Sequence, residues 1–392
     1  WTLAEWTRGW AFTGFPWNPL SSALIAEPDM ARAAALVGTY GLSGIVALVG
    51  GLIWWGWERR ALVPGATALA LLGLLWGGGA AWRGAHPLPA RGTAITIVQP
   101  NIGQEYRNDP AYDRVHFGSL AKLSLPEAPA RPRLLLWPEG ASYDYLESGY
   151  PARFYAYNQG GSAMAARMTT AALLGPDDLL LTGGTRLFFD RARRLTGAGN
   201  SVIALTPDAR IVATYDKAHL VPYGEYLPAR PLLSALGLSR LVPGSVDFIP
   251  GPGTQTLDLG PAFGKAGMLI CYEVIFSGQV TDRARRPDWL FNPSNDAWYG
   301  AWGPPQHLAQ ARLRAIEEGL PMLRATPTGI SAAIDAHGSV VAALPLGRAG
   351  RIDSALPAPL AATPFARLGN AIPVMLALLL LIAAIAFGRR AR

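Results

Sequence analysis

Three apolar stretches bracket a long polar insert, and this layout limits the possible folds more than any other feature of the chain. They run from Ala33 to Trp57, Ala61 to Trp82 and Ala371 to Phe387, and none contains a charged residue. A helix needs about 20 apolar residues to cross the hydrocarbon core of a bilayer, so each stretch is read as a transmembrane helix. Trp54, Trp55, Trp57, Trp76 and Trp82 sit near span ends, where indole rings favour the membrane interface. Arginines orient the spans. Arg59 and Arg60 fill the short loop between the first two, and Arg389, Arg390 and Arg392 follow the third. Such loops stay cytoplasmic, so everything between Arg83 and about Asn370 is expected on the far side, in a bacterium the periplasm. The expected parts are a membrane portion over 1–90 (with a pre-span segment over 1–29), a large domain over 91–365, and a last span with a basic cytoplasmic tail over 366–392.

Composition agrees with such a mixture. Half of the residues are hydrophobic and 16% are charged, and the mean hydropathy of +0.19 is high for a soluble domain but low for a pure bundle of spans. The net charge of +7 is scattered as Arg over membrane flanks and loops, which argues against a nucleic-acid surface. Cys271 is the only cysteine, so an intramolecular disulfide and a Cys-based zinc site are excluded. The five histidines show no ligand spacing, and neither a metal nor a cofactor is expected. The chain opens on Trp1 and not on Met, so upstream residues are expected.

The insert reads as α/β. Apolar, β-branched runs with turn punctuation predict strands over 94–99, 134–139, 179–188, 201–205, 211–217, 266–273, 289–294, 324–335 and 339–344. Hairpin turns are expected at "TPDA" (206–209) and "DAHG" (335–338). Helices are expected near 110–124, 153–172, 275–285 and 305–319. Strands and helices alternate with hairpins interleaved, which predicts a mixed sheet covered by helices.

Three strand ends carry unusual chemistry, and strand ends are where functional groups collect in open α/β sheets. "LLLWPEG" ends at Glu139, "YDKAHLVPYGEYLP" holds Lys217 and then Glu225, and "LICYE" holds Cys271. Taken singly, each has a plain structural reading: a solvated carboxylate, a snorkelling lysine, a buried thiol acting as a small hydrophobe. Together they supply a base, a cation and a nucleophile, the set that acyl transfer through a thioester needs.

The order strand-Glu, strand-Lys, strand-Cys resembles the nitrilase, or carbon–nitrogen hydrolase, superfamily. "LLLWPEGAS", "YDKAHLVPYGEYLP", "ICYEVIF" and the run from "NPSNDAWYGAWGPPQHLAQARLRAIEEG" to "LPMLRATPTGISAAID" resemble one branch of it, the bacterial apolipoprotein N-acyltransferases. "RGWAFTGFPWNPL" (8–20) resembles the membrane portion of that branch. The resemblance implies an αββα nitrilase-like sandwich inserted into a transmembrane helical bundle. It also implies more spans than the three seen here, the N-terminal ones lying outside this chain. One departure concerns the loop after "VQPNIGQ": the branch tends to carry a Trp there, and this chain offers Tyr106 and Asn108.

By the same resemblance the reaction is ping-pong. A membrane phospholipid donates an acyl chain to Cys271, and the α-amine of a diacylglyceryl-cysteine on an apolipoprotein then takes it. Glu139 is the expected base, Lys217 the stabiliser of the tetrahedral oxyanion with the Tyr272 N–H as a second donor, and Glu225 the holder of Lys217. Tyr272 and Glu273 are expected to shape the site. Two apolar loops suit a site that opens to lipid: 228–244, with Leu232, Leu233, Leu236, Leu238, Leu241 and Val242, and 295–305, with Trp298, Tyr299 and Trp302. The expected setting is the bacterial inner membrane, with a monomeric enzyme. Two rival readings stand beside it: a membrane-tethered amidase or nitrilase using water as acceptor, and a non-enzymatic scaffold, which predicts the loss of Glu139, Lys217 or Cys271.

Overall fold

The computed structural model describes residues 1–89, 92–103, 112–125, 132–237 and 246–390. Its strands are β1 (Ala94–Gln99), β2 (Arg133–Leu136), β3 (Leu179–Phe189), β4 (Leu195–Leu205), β5 (Ile211–Asp216) and β6 (Thr256–Asp258), then β7 (Lys265–Met268), β8 (Trp289–Pro293), β9 (Met322–Ala325), β10 (Ser331–Ile334), β11 (Val340–Leu344) and β12 (Gly350–Ala355). They form two six-stranded sheets, ordered β12-β1-β2-β3-β4-β5 and β11-β10-β9-β8-β7-β6. Each sheet has a parallel trio, β1-β2-β3 or β7-β8-β9, with antiparallel strands at its flanks.

The helices are α1 (Thr2–Arg8), α2 (Pro28–Ala31), α3 (Ala34–Arg59), α4 (Leu62–Ala85), α5 (Asp113–Ser124), α6 (Ala163–Ala171), α7 (Arg230–Ala235), α8 (Gly303–Glu318), α9 (Pro364–Leu368) and α10 (Ala371–Arg390). Side chains alternate along the strands and sort into layers. Ile95, Ile97, Leu134, Leu136, Leu179 and Leu181 face Met268, Ile270, Phe291, Leu323 and Ala325 across the space between the sheets. Val98, Leu135, Leu180 and Leu205 face outward and pack with Leu120 of α5 and Ala171 of α6. On the other flank Leu290, Met322, Ala332 and Ile334 pack with Ala311 and Ala315 of α8. Parallel strands buried on both faces explain why these segments read as continuous apolar runs. The result is the expected nitrilase-like sandwich, a sheet pair between helical layers.

α3 and α4 are long and apolar enough to cross a membrane, and α10 is apolar over Ala371–Ala386. α3 packs on α4, α8 and α10. It kinks at Gly38, whose φ is +69° and where the Phe365 ring occupies the space a Cβ would need. Just past the kink, the Glu317 carboxylate accepts the Thr39 N–H at 2.6 Å, tying this helix to the end of α8.

Several expected elements end or split early. The strand expected over 266–273 stops at Met268, and Cys271–Ile275 is one turn of 3-10 helix. The Glu273 carboxylate accepts the Ile270 N–H at 2.7 Å and turns the chain there. No helix forms over 275–285. Gly278 has φ +75°, and the Asp282 carboxylate accepts the Ala284 and Arg285 N–H groups, a local bond that competes with helix. The strand expected over 324–335 is a hairpin, β9 and β10, because "TPTG" turns it back. The strand over 134–139 ends at Leu136, before Pro138, which has no N–H to donate. Of the helix over 153–172 only α6 is α-helical: Gly160 and Gly161 have positive φ, and Ser162 caps the helix start through Ala165 N–H. β6 and β12 were not expected from the sequence; β12 pairs antiparallel with β1.

Candidate active site

The ends of β2, β5 and β7 bring Glu139, Lys217 and Cys271 to one place. Glu139 follows β2 in the turn Trp137–Gly140, which crosses β3 at Gly183. A Cβ on Gly183 would lie 2.5 Å from Pro138 O and 2.7 Å from Glu139 Cα, so only glycine lets the two chains approach this closely. Gly183 N–H donates to Pro138 O, and Ser142 N–H donates to Gly183 O.

Both carboxylate oxygens of Glu139 are engaged. Asn200 Nδ2 donates to Oε1 at 2.7 Å and the Asn295 N–H donates to Oε2 at 2.6 Å. Asn200, on β4, also donates to Glu225 Oε1 at 2.9 Å, so one amide spans the two carboxylates that flank Lys217. The Lys217 Nζ donates to Glu225 Oε1 at 2.9 Å, and Glu225 Oε2 accepts the Val221 N–H at 2.8 Å. Lys217 is fully buried. Burial alone would lower its pKa, but the Glu225 and Glu139 charges more than offset this and hold the ammonium above the ordinary lysine value.

Cys271 begins the 3-10 turn with φ +50°, a left-handed conformation that is rare outside glycine. Burial and the Glu139 charge push its thiol well above the usual range, against the pull of Lys217 and the Asn295 N–H. The resting group is therefore a neutral thiol beside a carboxylate and an ammonium. The Cys271 carbonyl is held by Asn292 Nδ2 at 3.3 Å and His307 Nε2 at 3.2 Å.

Of the other residues expected at the site, Glu273 is buried with its carboxylate saturated. It accepts Tyr215 OH (2.8 Å), Ala218 N–H (2.8 Å), His219 N–H (3.0 Å) and Ile270 N–H, which cross-links the Lys217 loop to the Cys271 turn. Tyr272 donates its hydroxyl to Gly14 O at 2.6 Å, docking the pre-span segment. Tyr299 faces the site: burial and then the Cys271 charge raise its pKa. Trp298 is half exposed on the same turn and does not join the hydrogen-bonded group. The loop with Tyr106 and Asn108 lies outside the described residues. Among the described residues no group of three or more His, Cys, Asp or Glu side chains is arranged to hold a metal.

Residues 95–363 match the carbon-nitrogen hydrolase family, and residues 1–52 match the apolipoprotein N-acyltransferase N-terminal domain. The apolipoprotein N-acyltransferase of Bradyrhizobium diazoefficiens is 39% identical to this chain, over 97% of the chain and 71% of that protein. This chain belongs to the apolipoprotein N-acyltransferase family. The Rhodopseudomonas palustris member is 36% identical over 94% of the chain and 69% of its own length. For the Caulobacter vibrioides member the figures are 38%, 93% and 68%.

In this family member sequence reasoning missed three groups. Asn200 left one signal, an amide in an otherwise apolar and small-residue strand. Asp296, His307 and Arg324 sit in quoted motifs, but their mutual bonds cross 11 to 28 positions, which no local pattern reveals. Trp17 stacks on Tyr299 with centroids 4.8 Å apart and lies 5.2 Å from the His307 ring, so the pre-span segment forms a wall beside the site.

Proposed function

We propose a two-step route for lipoprotein N-acylation, the activity that goes with this family. The observation that carries it is geometric: Cys271, on a left-handed turn, stands with Lys217, which is bonded to Glu225, and with Glu139, which shares the Asn200 amide with Glu225. As Sγ attacks the ester carbonyl of a phospholipid, Glu139 takes the thiol proton. Negative charge on the former carbonyl oxygen is stabilised by the Lys217 ammonium and by the Tyr272 N–H. Collapse breaks the ester C–O bond, Glu139 returns the proton to the departing alkoxide, and a lysophospholipid leaves. The α-amine of a diacylglyceryl-cysteine then attacks the thioester and gives its proton to Glu139. The thiolate departs and is reprotonated, leaving an amide.

A buried thiol that stays protonated suits this order of events, since the base need act only when substrate is present. Glu225 and Asn200 hold Lys217 and Glu139 apart in charge and together in space. The setting we infer is the bacterial inner membrane, crossed by α3, α4 and α10, with the domain over 91–365 on the periplasmic side. Exposed Leu232 on α7 and Leu236 just past it, with Trp298 and Trp302, support contact with lipid. Of the apolar loop 228–244, residues 238–244 lie outside the described residues.

Mass spectrometry of the detergent-purified chain after incubation with phospholipid tests the route. An added acyl mass on the peptide holding Cys271, released by a diacylglyceryl-cysteine peptide as its amide, is expected. An adduct elsewhere, or release only to water, overturns it. Reporter fusions within 150–160 and after Arg392 test the orientation, and the same side for both refutes it.

A further inference from the structure

Behind the proposed nucleophile lies a layer of buried charge that the route above does not use. His307, in the second turn of α8, is fully buried. Its Nε2 lies 3.2 Å from the Cys271 carbonyl oxygen. That oxygen can only accept, so Nε2 carries the hydrogen. At the other side of the ring, Nδ1 lies 2.9 Å from Asp296 Oδ1 and 3.1 Å from Arg324 Nη2. Nδ1 can thus accept from Arg324 in the neutral ring or donate to Asp296 in the charged ring, and Nε2–H stays on the carbonyl in both.

The ring is itself held. Arg324 Nη2 donates to both Asp296 oxygens, at 2.7 and 2.5 Å, and Nη1 donates to Ser294 Oγ at 3.0 Å and to Asn292 Oδ1. Asn292 in turn donates to the same Cys271 carbonyl and to Leu269 O. A buried ion pair is weak as a device for stability, since apolar side chains of similar volume do as well. What these groups converge on, directly through His307 and Asn292, is the carbonyl of Cys271, the residue with φ +50°.

We propose that His307 is a positioning residue for the nucleophile, fixing through its Nε2–H the left-handed turn that presents Cys271 to Glu139 and Lys217. The inference rests on the thioester route. Without the donor, the carbonyl keeps only the 3.3 Å bond from Asn292, which lets the turn relax toward an ordinary conformation and moves Sγ off its line of attack. A misplacement of about 1 Å costs on the order of 100-fold in rate.

Two rates on the full chain in detergent test it: alkylation of Cys271, the only thiol, by a small haloacetamide, and acyl-enzyme formation from phospholipid. His307→Leu is expected to slow both on the order of 100-fold with the phospholipid KM unchanged. His307→Gln, whose amide keeps an N–H at the reach of Nε2, is expected to recover most of the loss. A merely structural role lowers the Tm of both variants and leaves the rates of the folded protein at the wild-type level. Wild-type rates in His307→Leu, or a loss in His307→Gln as large as in His307→Leu, overturn the proposal. If His307→Leu does not fold, His307→Gln decides: rates within about tenfold of wild type uphold it and a loss near 100-fold sinks it. Absence of any acyl adduct on wild-type Cys271 would instead sink the thioester route beneath it.

Discussion

Cys271 has two unlike neighbourhoods. In front of it, the first sheet supplies Glu139 just past β2, Asn200 on β4 and Lys217 just past β5, and the charges of Glu139 and Lys217 act on the thiol. Behind it, the second sheet and α8 supply Asn292, Arg324 and His307, which bond its peptide carbonyl or one another. In the proposed route the front supplies the base and the cation to the Cys271 thiol. The back leaves almost nothing free to move. Reactivity and rigidity would thus come from different sides, and Cys271 sits where the two sheets meet. Substitutions in front should change acyl transfer more than the general reactivity of the thiol, and substitutions behind should change both.

The harshest way to break the comparison is to change the meeting point. Cys271→Ser should abolish turnover, a loss of roughly 10⁶-fold by analogy with removal of other nucleophiles, because no imidazole faces the hydroxyl from the front. The Tm should barely move. Full turnover in the serine variant would remove Cys271 from the chemistry.

Next comes the cation. Lys217→Ala should slow acyl-enzyme formation by about 10²–10³-fold, the effect of losing one oxyanion donor. It also leaves Glu225 and Glu139 without their shared counter-charge, so some stability is lost as well. Lys217→Arg keeps the charge but not the compact head, and partial activity there would show that charge counts for more than shape. Acylation of Lys217→Ala at the wild-type rate would place the electrostatic work elsewhere.

Asn200 probes the link within the front. Asn200→Leu removes two hydrogen bonds from buried carboxylates, each costing about 1–3 kcal/mol when left unmade. A fall of roughly 10- to 100-fold in acylation is expected, with alkylation by a neutral haloacetamide less affected than in His307→Leu. Equal loss of both rates would mean that Asn200 belongs to the rigid side and that the division drawn here is wrong.

The sheets, their apolar faces and the three strand-end residues were legible in the sequence because they follow local rules. Burial on both faces at Leu134, Leu135 and Leu136 is written as a continuous apolar run, and Pro138 and Gly140 punctuate the turn that carries Glu139. The strand expected through Cys271 ends early because its end is set by Glu273, three of whose four bonds reach back to Tyr215, Ala218 and His219. Likewise the bond from the Tyr272 hydroxyl to Gly14, 258 positions away, left no local signal. The front of the site was readable as a set of residue types. The back was not, since Asp296, His307 and Arg324 acquire meaning only from contacts that folding creates.

A milder test concerns access to the front. Changing Leu232, Leu233 and Leu236 to Ser should impair reaction with bilayer phospholipid more than with a short water-soluble acyl ester. Each leucine withdrawn from lipid forfeits about 1.5–3 kcal/mol of burial. Leu232 and Leu236 are 63% and 68% exposed, so a packing role would cost little stability. Equal loss with both donors would discard contact with lipid.

The smallest expected effect sharpens the comparison through pH. If the groups behind Cys271 are saturated, the slope of stability near neutrality should come from elsewhere on α8. Glu318, eleven residues past His307, is buried, and burial together with the Glu317 charge raises its pKa to about 7. A carboxyl with a raised folded pKa favours the fold below its ordinary value near 4.5 and loses that contribution as pH rises through 7. Glu318 should therefore contribute a fall in stability between pH 5 and pH 8 of at most roughly 3 kcal/mol. This is opposite in sign to the contribution of His219, His307 and His337, whose pKa burial lowers, and is read as the difference between wild type and a variant that cannot ionise there. Glu318→Gln keeps a partner for Thr281, which now donates to the carboxylate at 3.1 Å, and cannot ionise. Its Tm should lack this fall across the same range, and its acylation rate should stay near wild type because Glu318 contacts neither side of the nucleophile. An unchanged slope in the variant would return the pH response to the Asp296, His307 and Arg324 layer, and would mean that the back of the site is less rigid than its bonds imply.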